Sequence, residues 1–215
     1  MKITFATANL GKLREAGEIL GEGWELLSSA EAGVTEDIPE NGQTLKENSL
    51  AKAEYLYKAT GLDCFADDTG LEVDMLDGAP GVHTARYAGG EGHDYQANMD
   101  KLLQDMAAKE RLAAEKGEAA PSRTARFHSI VTLILGGKTY FFEGTLEGLI
   151  ADAKAGCGGF GYDPVFIPFA IPDPEGILVP NTRNLTLAEI PEEDKNAISH
   201  RGSALRAMAA FLQDK

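Results

Sequence analysis

Two adjacent carboxylates, Asp67 and Asp68, are the residues of this sequence best suited to chemistry. They follow the apolar residues Phe65 and Ala66 and precede Thr69. Neighbouring carboxylates repel each other, and burying either one without a partner is costly. A divalent cation relieves both problems, because Mg²⁺ binds carboxylate oxygens together with substrate phosphates. The pair therefore predicts a metal-assisted phosphate site, and the alternative is a solvated turn, for which these residue types are also suited.

Three further segments combine glycine turns with polar side chains. Residues 7–12 offer hydroxyl, amide and ammonium donors, residues 160–163 offer aromatic rings beside a carboxylate, and residues 200–201 offer planar donors at a helix start. A nucleotide site needs cations and amides for the phosphates, a ring for the base and polar groups for the base edge. Each segment alone also fits an ordinary loop or helix start, but together they favour a nucleotide site.

An α/β framework has to position these side chains. The sequence predicts strands at residues 3–6, 24–28, 64–66, 125–135, 139–144, 146–151 and 165–167, and helices at residues 13–20, 44–60 and 94–109 and after residues 199–202. Residues 136–137 suit a hairpin turn, residues 168–180 a loop, and residues 111–122 a surface connection or a helix extension. Because strand 64–66 ends before the aspartates, we expect them at its carboxyl end, where open α/β folds bind ligands.

The composition limits the class of protein. The 215 residues are 43% hydrophobic and 25% charged, as in ordinary soluble proteins. A net charge of -14 argues against a nucleic-acid partner. No apolar run has membrane-spanning length, no signal peptide is expected, and Cys64 and Cys157 have no metal-binding spacing. We expect a cytoplasmic protein with reduced thiols and no membrane partner.

Several common catalytic motifs do not occur in the sequence. It has no GxxxxGK[ST] phosphate loop, no GxGxxG between a strand and a helix, no HExxH and no GxSxG. These observations argue against P-loop enzymes, dinucleotide-binding folds, zinc proteases and serine hydrolases of the α/β type.

Six short strings, read in order, resemble the inosine/xanthosine triphosphate pyrophosphatase family. They are TANLGK at 7–12, ADDTGL at 66–71, GAPG at 78–81, ARY at 85–87, GFGYDP at 159–164 and SHRG at 199–202. The resemblance implies an α/β fold with a mixed, elongated central sheet flanked by helices, and two lobes with the active-site cleft between them, in a single domain over residues 1–215. It also implies a homodimer that hydrolyses ITP, dITP or XTP to the nucleoside monophosphate and pyrophosphate with Mg²⁺.

The resemblance also implies roles for individual residues. Asp68 would be the general base and a metal ligand, and Glu40 would be the second metal ligand, with Glu36, Asp37 and Glu47 as alternatives to Glu40. Glu47 also has capping-box spacing from Thr44, and this role as a cap is the preferred interpretation. The residues expected to hold the triphosphate are Thr7, Ala8, Asn9, Leu10, Gly11, Lys12 and Lys52, with Lys195 close by. Thr69 is expected to contact the substrate. The base and sugar are expected to bind at Phe160, Gly161, Tyr162 and Asp163, and the purine 6-oxo group at His200 and Arg201.

The expected base selectivity has a physical reason. Inosine and xanthosine carry an acceptor oxygen at position 6, where adenine carries a donor amine. Donors such as Arg201 and a suitably protonated His200 would be left unpaired by adenine. The residue that excludes guanine is not identified by this reasoning. A pyrophosphatase for modified pyrimidines and a nucleotide-binding regulator without catalysis are the competing hypotheses.

Overall fold

The computed structural model describes residues 2–36, 38–90 and 94–213. Asp37, one of the alternative metal ligands, lies outside them. The helices are α1 (Leu10–Leu20), α2 (Leu45–Thr60), α3 (Tyr95–Glu115), α4 (Glu192–Ile198) and α5 (His200–Gln213). The strands are β1 (Lys2–Phe5), β2 (Glu25–Ser28), β3 (Cys64–Val73), β4 (Pro80–Gly81), β5 (Thr124–Leu135), β6 (Lys138–Ile150), β7 (Phe166–Pro168), β8 (Ala170–Pro172) and β9 (Leu178–Pro180).

The main sheet is mixed, which confirms the predicted fold class. Its strand order is β2-β1-β3-β5-β6-β7, and β4 pairs with β3. β1 runs parallel to β2 and β3, whereas β4 is antiparallel to β3 and β7 is antiparallel to β6. β5 and β6 are joined by the predicted turn at Gly136 and Gly137, whose φ angles of 56° and 75° suit a two-residue hairpin. β8 and β9 form a separate antiparallel pair.

The chain divides into two compact units. Unit 1 contains the residues up to Thr69, Ser129–Thr145 and the residues from His200 onward. Unit 2 contains Gly70–His128 and Leu146–Ser199. Each unit has its own apolar core. The pyrophosphatase domain expected over residues 1–215 stays a prediction.

Unit 1 has two apolar clusters that use alternate residues of β3. Phe65 stacks on Phe5 at 4.3 Å between ring centroids, in a cluster that also contains residues of α1 and α5. Cys64 and Ala66 belong to the other cluster, with residues of α2. Because successive side chains of a strand point to opposite faces, the same alternation directs Asp67 and Asp68 to different helices.

The predicted end of β3 is wrong, and so is the alternative of a solvated turn. The strand runs on from Ala66 through both aspartates to Val73. Its pairing with β1 stops at Phe65, but Leu71 pairs with Gly81 of β4, so a second strand stabilises the later part of β3. The aspartates therefore lie within a continuous strand, just beyond the carboxyl end of β1.

Other element boundaries differ from the sequence prediction in smaller ways. α1 begins at Leu10, three residues before the predicted start at position 13, because Asn9 caps it. α2 begins after its cap Thr44 and ends before Gly61, in agreement with the predicted cap and end. α3 extends to Glu115, and the predicted strand at 146–151 is the continuation of β6. The predicted loop at 168–180 contains β8 and β9, whose prolines stand at strand ends, and α4 was not predicted.

Candidate active site

The start of α1 carries the expected phosphate-binding string. Asn9 Oδ1 accepts hydrogen bonds from the backbone N–H groups of Gly11 at 2.8 Å and Lys12 at 3.1 Å. The N–H of Asn9 donates to Thr7 Oγ1 at 3.1 Å. Ala8 and Leu10 are exposed, and the exposed fraction of Leu10 is 75%. The string is therefore an ordered helix start open to solvent, and Asn9 serves as its cap.

Lys12 points from this helix start to the first aspartate of β3. Its Nζ lies 2.9 Å from Asp67 Oδ1 and 2.7 Å from Asp67 Oδ2, and Asp67 is 2% exposed. Burial alone would raise the pKa of Asp67. The positive charges of Lys12, Lys52 and Arg201 outweigh that effect and lower the pKa to about 2. Asp67 is consequently an ionised partner for the cations around it.

Asp68 is part of a second group, on the side of β3 that faces α2. Lys52 Nζ lies 3.3 Å from Asp68 Oδ1 and 2.5 Å from Glu40 Oε1. Burial raises the pKa of Asp68, and the carboxylates of Glu40 and Asp67 raise it further, while Lys52 acts in the opposite direction. Burial would lower the pKa of Lys52, but the charges of Asp68, Asp67 and Glu40 raise it overall. Two carboxylates therefore converge on one ammonium group.

The two described alternatives to Glu40 have other partners. Glu36 accepts a hydrogen bond from Tyr55 Oη at 2.7 Å. Glu47 Oε2 accepts one from the N–H of Gln43 at 2.6 Å, at the start of α2. The preferred interpretation of Glu47 as a helix cap therefore agrees with its contact, and Glu40 is the carboxylate that shares a partner with Asp68.

The remaining predicted residues of unit 1 lie on β3 and at the start of α5. Thr69 Oγ1 donates to Ser129 Oγ at 3.0 Å. His200 and Arg201 are the first two residues of α5. Arg201 is held by Glu15 of α1, with Nε 2.8 Å from Glu15 Oε2 and a second bond from Nη2 to the same oxygen. Arg201 thus lies with the cations that lower the pKa of Asp67.

Unit 2 contains the expected base and sugar residues. Asp163 Oδ2 accepts from the N–H of Phe160 at 2.9 Å and from Lys195 Nζ at 3.2 Å. Lys195 Nζ also lies 5.2 Å from the centroid of the Phe160 ring, which is 59% exposed. Tyr162 is buried and donates from Oη to Thr84 O at 3.0 Å. The structure thus holds an exposed aromatic ring beside a lysine–carboxylate pair.

A closely fitted glycine shapes this loop. A Cβ atom at Gly159, where φ is 72°, would lie 2.1 Å from Asp163 Oδ2. The neighbouring Gly161 also has a positive φ of 63°. Glycine is required at position 159 both by its backbone angle and by the approach of the carboxylate.

Comparison with known proteins identifies the family to which this arrangement belongs. The profile of the Ham1 family matches residues 3–211. The chain belongs to the Ham1 family. A dITP/XTP pyrophosphatase of Porphyromonas gingivalis is 46% identical over 211 residues, which cover 98% of this chain and 97% of the relative. A dITP/XTP pyrophosphatase of Bacillus subtilis is 42% identical over 210 residues, covering 97% and 95%. The solved structure of a HAM1 protein from Coxiella burnetii has a TM-score of 0.85 and 33% identity, covering 100% of both chains.

Ham1 membership confirms the resemblance drawn from the six strings. Pyrophosphatase chemistry of the kind named for the relatives implies a divalent metal ion, and the donor set here fits one. Glu40 and Asp68 direct carboxylate oxygens to the same point, where they now contact Lys52 Nζ. Mg²⁺ needs only one or two carboxylates when substrate phosphates and water complete its shell. Within the described residues, no group of three or more metal-ligating side chains occurs, so these two are the available protein ligands in this group.

Sequence reasoning missed several polar partners in this Ham1 chain. Glu15 and Ser129 contact predicted site residues, and Asn48 accepts a hydrogen bond from the N–H of Gly42, in the loop that carries Glu40. Glu15 and Ser129 are far in sequence from the residues they contact, so no local pattern marks them. Asn48 precedes Lys52 by four residues on α2, and that spacing, which places both on one helix face, could have identified it.

Proposed function

We propose that this chain hydrolyses non-standard purine nucleoside triphosphates, namely dITP, ITP and XTP, to the nucleoside monophosphate and pyrophosphate. The observation that carries the proposal is the convergence of Glu40, Lys52 and Asp68 on one side of β3. The dITP/XTP pyrophosphatases among its relatives support the choice of substrate.

Asp68 is the proposed general base. Burial raises the pKa of Asp68, and a carboxylate with a raised pKa accepts a proton more readily than an ordinary one. Asp68 would orient a water molecule, take its proton, and direct the hydroxide towards the α-phosphorus. The bond from the α-phosphorus to the bridging oxygen breaks, and pyrophosphate leaves with the electron pair. Lys52, which contacts Asp68, would balance the developing negative charge.

Glu40 and Asp68 are the proposed ligands of a Mg²⁺ ion. When bound, the ion would neutralise charge on the phosphate oxygens and on the leaving pyrophosphate. The two carboxylates converge on one point, which supports this assignment.

The triphosphate is proposed to bind at the start of α1 and at the lysines. Helix starts attract anions because the helix dipole is positive there. Asn9 already accepts from the N–H groups of Gly11 and Lys12, so the dipole and the Lys12 ammonium group are the features of α1 that favour a phosphate. The described start of α1 is exposed and ordered by Asn9. The proposed triphosphate ligands are Thr7, Ala8, Asn9, Leu10, Gly11, Lys12 and Lys52, with Lys195 close by. Thr69 is also proposed to contact the substrate.

Residues 160–163 are proposed to hold the base and sugar, with His200 and Arg201 selecting the purine 6-oxo group. An exposed ring such as Phe160 offers a stacking surface. Arg201 already gives two donors to one oxygen of Glu15, and its guanidinium has further N–H groups for an acceptor such as the 6-oxo oxygen.

The remaining proposals concern the setting in which the protein works. We propose a cytoplasmic homodimer without nucleic-acid or membrane partners. Two free cysteines, Cys64 buried and Cys157 exposed, are consistent with a reducing compartment, and the charge of -14 disfavours nucleic acid. None of the described helices has the length and hydropathy needed to cross a membrane.

Pyrophosphate release from dITP, ITP, XTP, GTP and ATP, each with and without Mg²⁺, tests the proposal. We expect Mg²⁺-dependent release from the first three substrates and little from ATP. Release of inorganic phosphate would contradict the cleavage site, and a preference for modified pyrimidine triphosphates would contradict the base selection. Tight nucleotide binding without any release would leave only a regulatory role.

A further inference from the structure

The ammonium group of Lys52 contacts both of the proposed metal ligands in unit 1. Its Nζ lies 2.5 Å from Glu40 Oε1 and 3.3 Å from Asp68 Oδ1. The side chain of Lys52 is 10% exposed and that of Asp68 is 13% exposed, so these charges are largely shielded from water. A lysine of the chain itself thus already uses the two carboxylates that a metal ion would need.

The balance of charge makes Lys52 and a divalent cation competitors. Glu40 and Asp68 together with the Lys52 ammonium group carry one excess negative charge. A divalent cation bound to the same carboxylates, with the ammonium group still in contact, would leave an excess positive charge in a largely buried group. Like charges at contact distance repel strongly where water is excluded. The carboxylates can therefore satisfy either cation well, but not both at once.

We propose that Lys52 is a resident cation that the metal ion displaces from Glu40 and Asp68, and that the released ammonium group then binds the substrate phosphates; this inference rests on the proposed function. The four-carbon stem of lysine is flexible, so the ammonium group can move while α2 stays in place. Phosphate oxygens replace the carboxylates as its charged partners. Metal and nucleotide should consequently strengthen each other's binding, because binding coupling is reciprocal.

Lys12 provides a contrast within the same unit. Its Nζ lies 2.9 Å from Asp67 Oδ1 and 2.7 Å from Asp67 Oδ2. One ammonium group and one carboxylate form a neutral pair, so this contact offers a metal ion no excess negative charge. Lys12 is therefore a matched control that removes the same unit charge from a lysine–carboxylate contact on β3.

The competing explanation is that Lys52 draws the two carboxylates together and so prepares the metal site. The two explanations predict opposite results when the ammonium group is removed. A site that Lys52 prepares would bind metal more weakly without it, whereas a site that Lys52 occupies would bind metal more tightly. The direction of the change in metal affinity therefore decides between them.

The test measures Mn²⁺ binding to the substrate-free full chain by electron paramagnetic resonance, at a temperature where wild type, Lys52→Met and Lys12→Met are all folded. Mn²⁺ prefers the same oxygen ligands as Mg²⁺. We expect Lys52→Met to bind Mn²⁺ at least about tenfold more tightly than wild type, and Lys12→Met to stay within about threefold. Equal or weaker binding by Lys52→Met would overturn the inference. An equal gain in Lys12→Met would also overturn it, because the general loss of positive charge would then explain both results.

A measurement on wild-type protein decides the question if Lys52→Met does not fold. The ¹⁵N signal of the Lys52 ammonium group, assigned by its loss in Lys52→Arg, is followed by nuclear magnetic resonance as Mg²⁺ is added without substrate. We expect this signal to shift while that of Lys12 stays in place. An unshifted Lys52 signal, when competition with Mn²⁺ shows that Mg²⁺ is bound, would overturn the inference.

Failure of the proposed function can be recognised separately. If wild type releases no pyrophosphate but Lys52→Met gains Mn²⁺ affinity, the hydrolysis proposal fails and the displacement stands. If wild type hydrolyses dITP with Mg²⁺ but Lys52→Met shows no gain, the displacement fails and the hydrolysis proposal stands.

Discussion

Asp67 and Asp68 are neighbours in sequence, but they lie in opposite electrostatic environments on the two faces of β3. Asp67 is surrounded by the cations Lys12, Lys52 and Arg201, and its pKa is lowered to about 2. Asp68 shares the charge of Lys52 with Glu40, and burial raises its pKa. The strand alternation separates the two carboxyl groups, so one chain segment carries two neighbouring carboxyl groups whose pKa values shift in opposite directions.

The difference supports a different proposed role for each aspartate. When their surroundings drive the pKa values of two carboxyl groups apart, the group with the higher pKa is suited to exchange protons. The group with the lower pKa stays ionised. Asp68 is suited to proton transfer, whereas Asp67 is suited to hold Lys12 in position. The comparison can be tested by changing each group separately.

Replacing the proposed base should have the largest effect. In Asp68→Asn, pyrophosphate release from dITP should fall about a thousandfold, since general base catalysis contributes about 10²- to 10⁴-fold. The metal-free protein should be no less stable at pH 7 than wild type, because the raised pKa indicates that the ionised side chain is unfavourable in the fold. The exposed Asp77→Asn, which loses only a surface pair with Lys109, is the control. Near-normal turnover in Asp68→Asn would remove the distinction between the two aspartates.

Replacing Lys12 should affect substrate binding more than turnover. Lys12→Gln removes the positive charge at the start of α1 and keeps a side-chain hydrogen-bond donor. We expect KM for dITP to rise about 10- to 100-fold, the range given by one charge-assisted hydrogen bond, with kcat changed much less. Steady-state kinetics below the melting temperature measure both constants. A reduced kcat with wild-type KM would place Lys12 with the reacting group instead.

Replacing Asp67 should reduce stability. Asp67→Asn leaves Lys12 without its opposite charge, so the free energy of unfolding at pH 7 should fall by about 2 kcal/mol. Urea denaturation with EDTA present measures this change against wild type. Equal stability of the two proteins would mean that the ion pair at 2.7 Å does not stabilise the fold.

The stability lost in Asp67→Asn should itself depend on pH. The pKa of Asp67 is lowered in the folded state, so its contribution is complete above the unfolded value of about 4 and disappears as pH falls towards about 2. The difference between wild type and Asp67→Asn should therefore shrink over that interval. Urea titrations at pH 5, 4 and 3 follow it, and a difference independent of pH would show that charge is not its origin.

Much of this arrangement could be predicted from local sequence. The helix 45–60 with its Thr44 cap, the Gly136–Gly137 hairpin and the mixed α/β class were all predicted, because capping residues, turn glycines and apolar periodicity are local signals. The six strings also indicate the family without any contact between distant residues.

What sequence reasoning missed depends on pairing between distant segments. Local sequence predicts that β3 ends at Ala66, because the following carboxylates and glycine suit a turn, whereas pairing with β4 keeps this segment extended. Glu15 and Ser129 approach their partners only through the fold. Such contacts leave no periodic or spacing signal in a single sequence.

The environments of the two cysteines make site-selective labelling possible. Burial raises the pKa of the Cys64 thiol to about 12, and the Asp63 charge acts in the same direction, whereas Cys157 is exposed three residues before Phe160. Maleimide reagents react with thiolates, so the folded natural chain should take up one label per molecule. A fluorophore attached there would report nucleotide binding at residues 160–163 without any engineered cysteine.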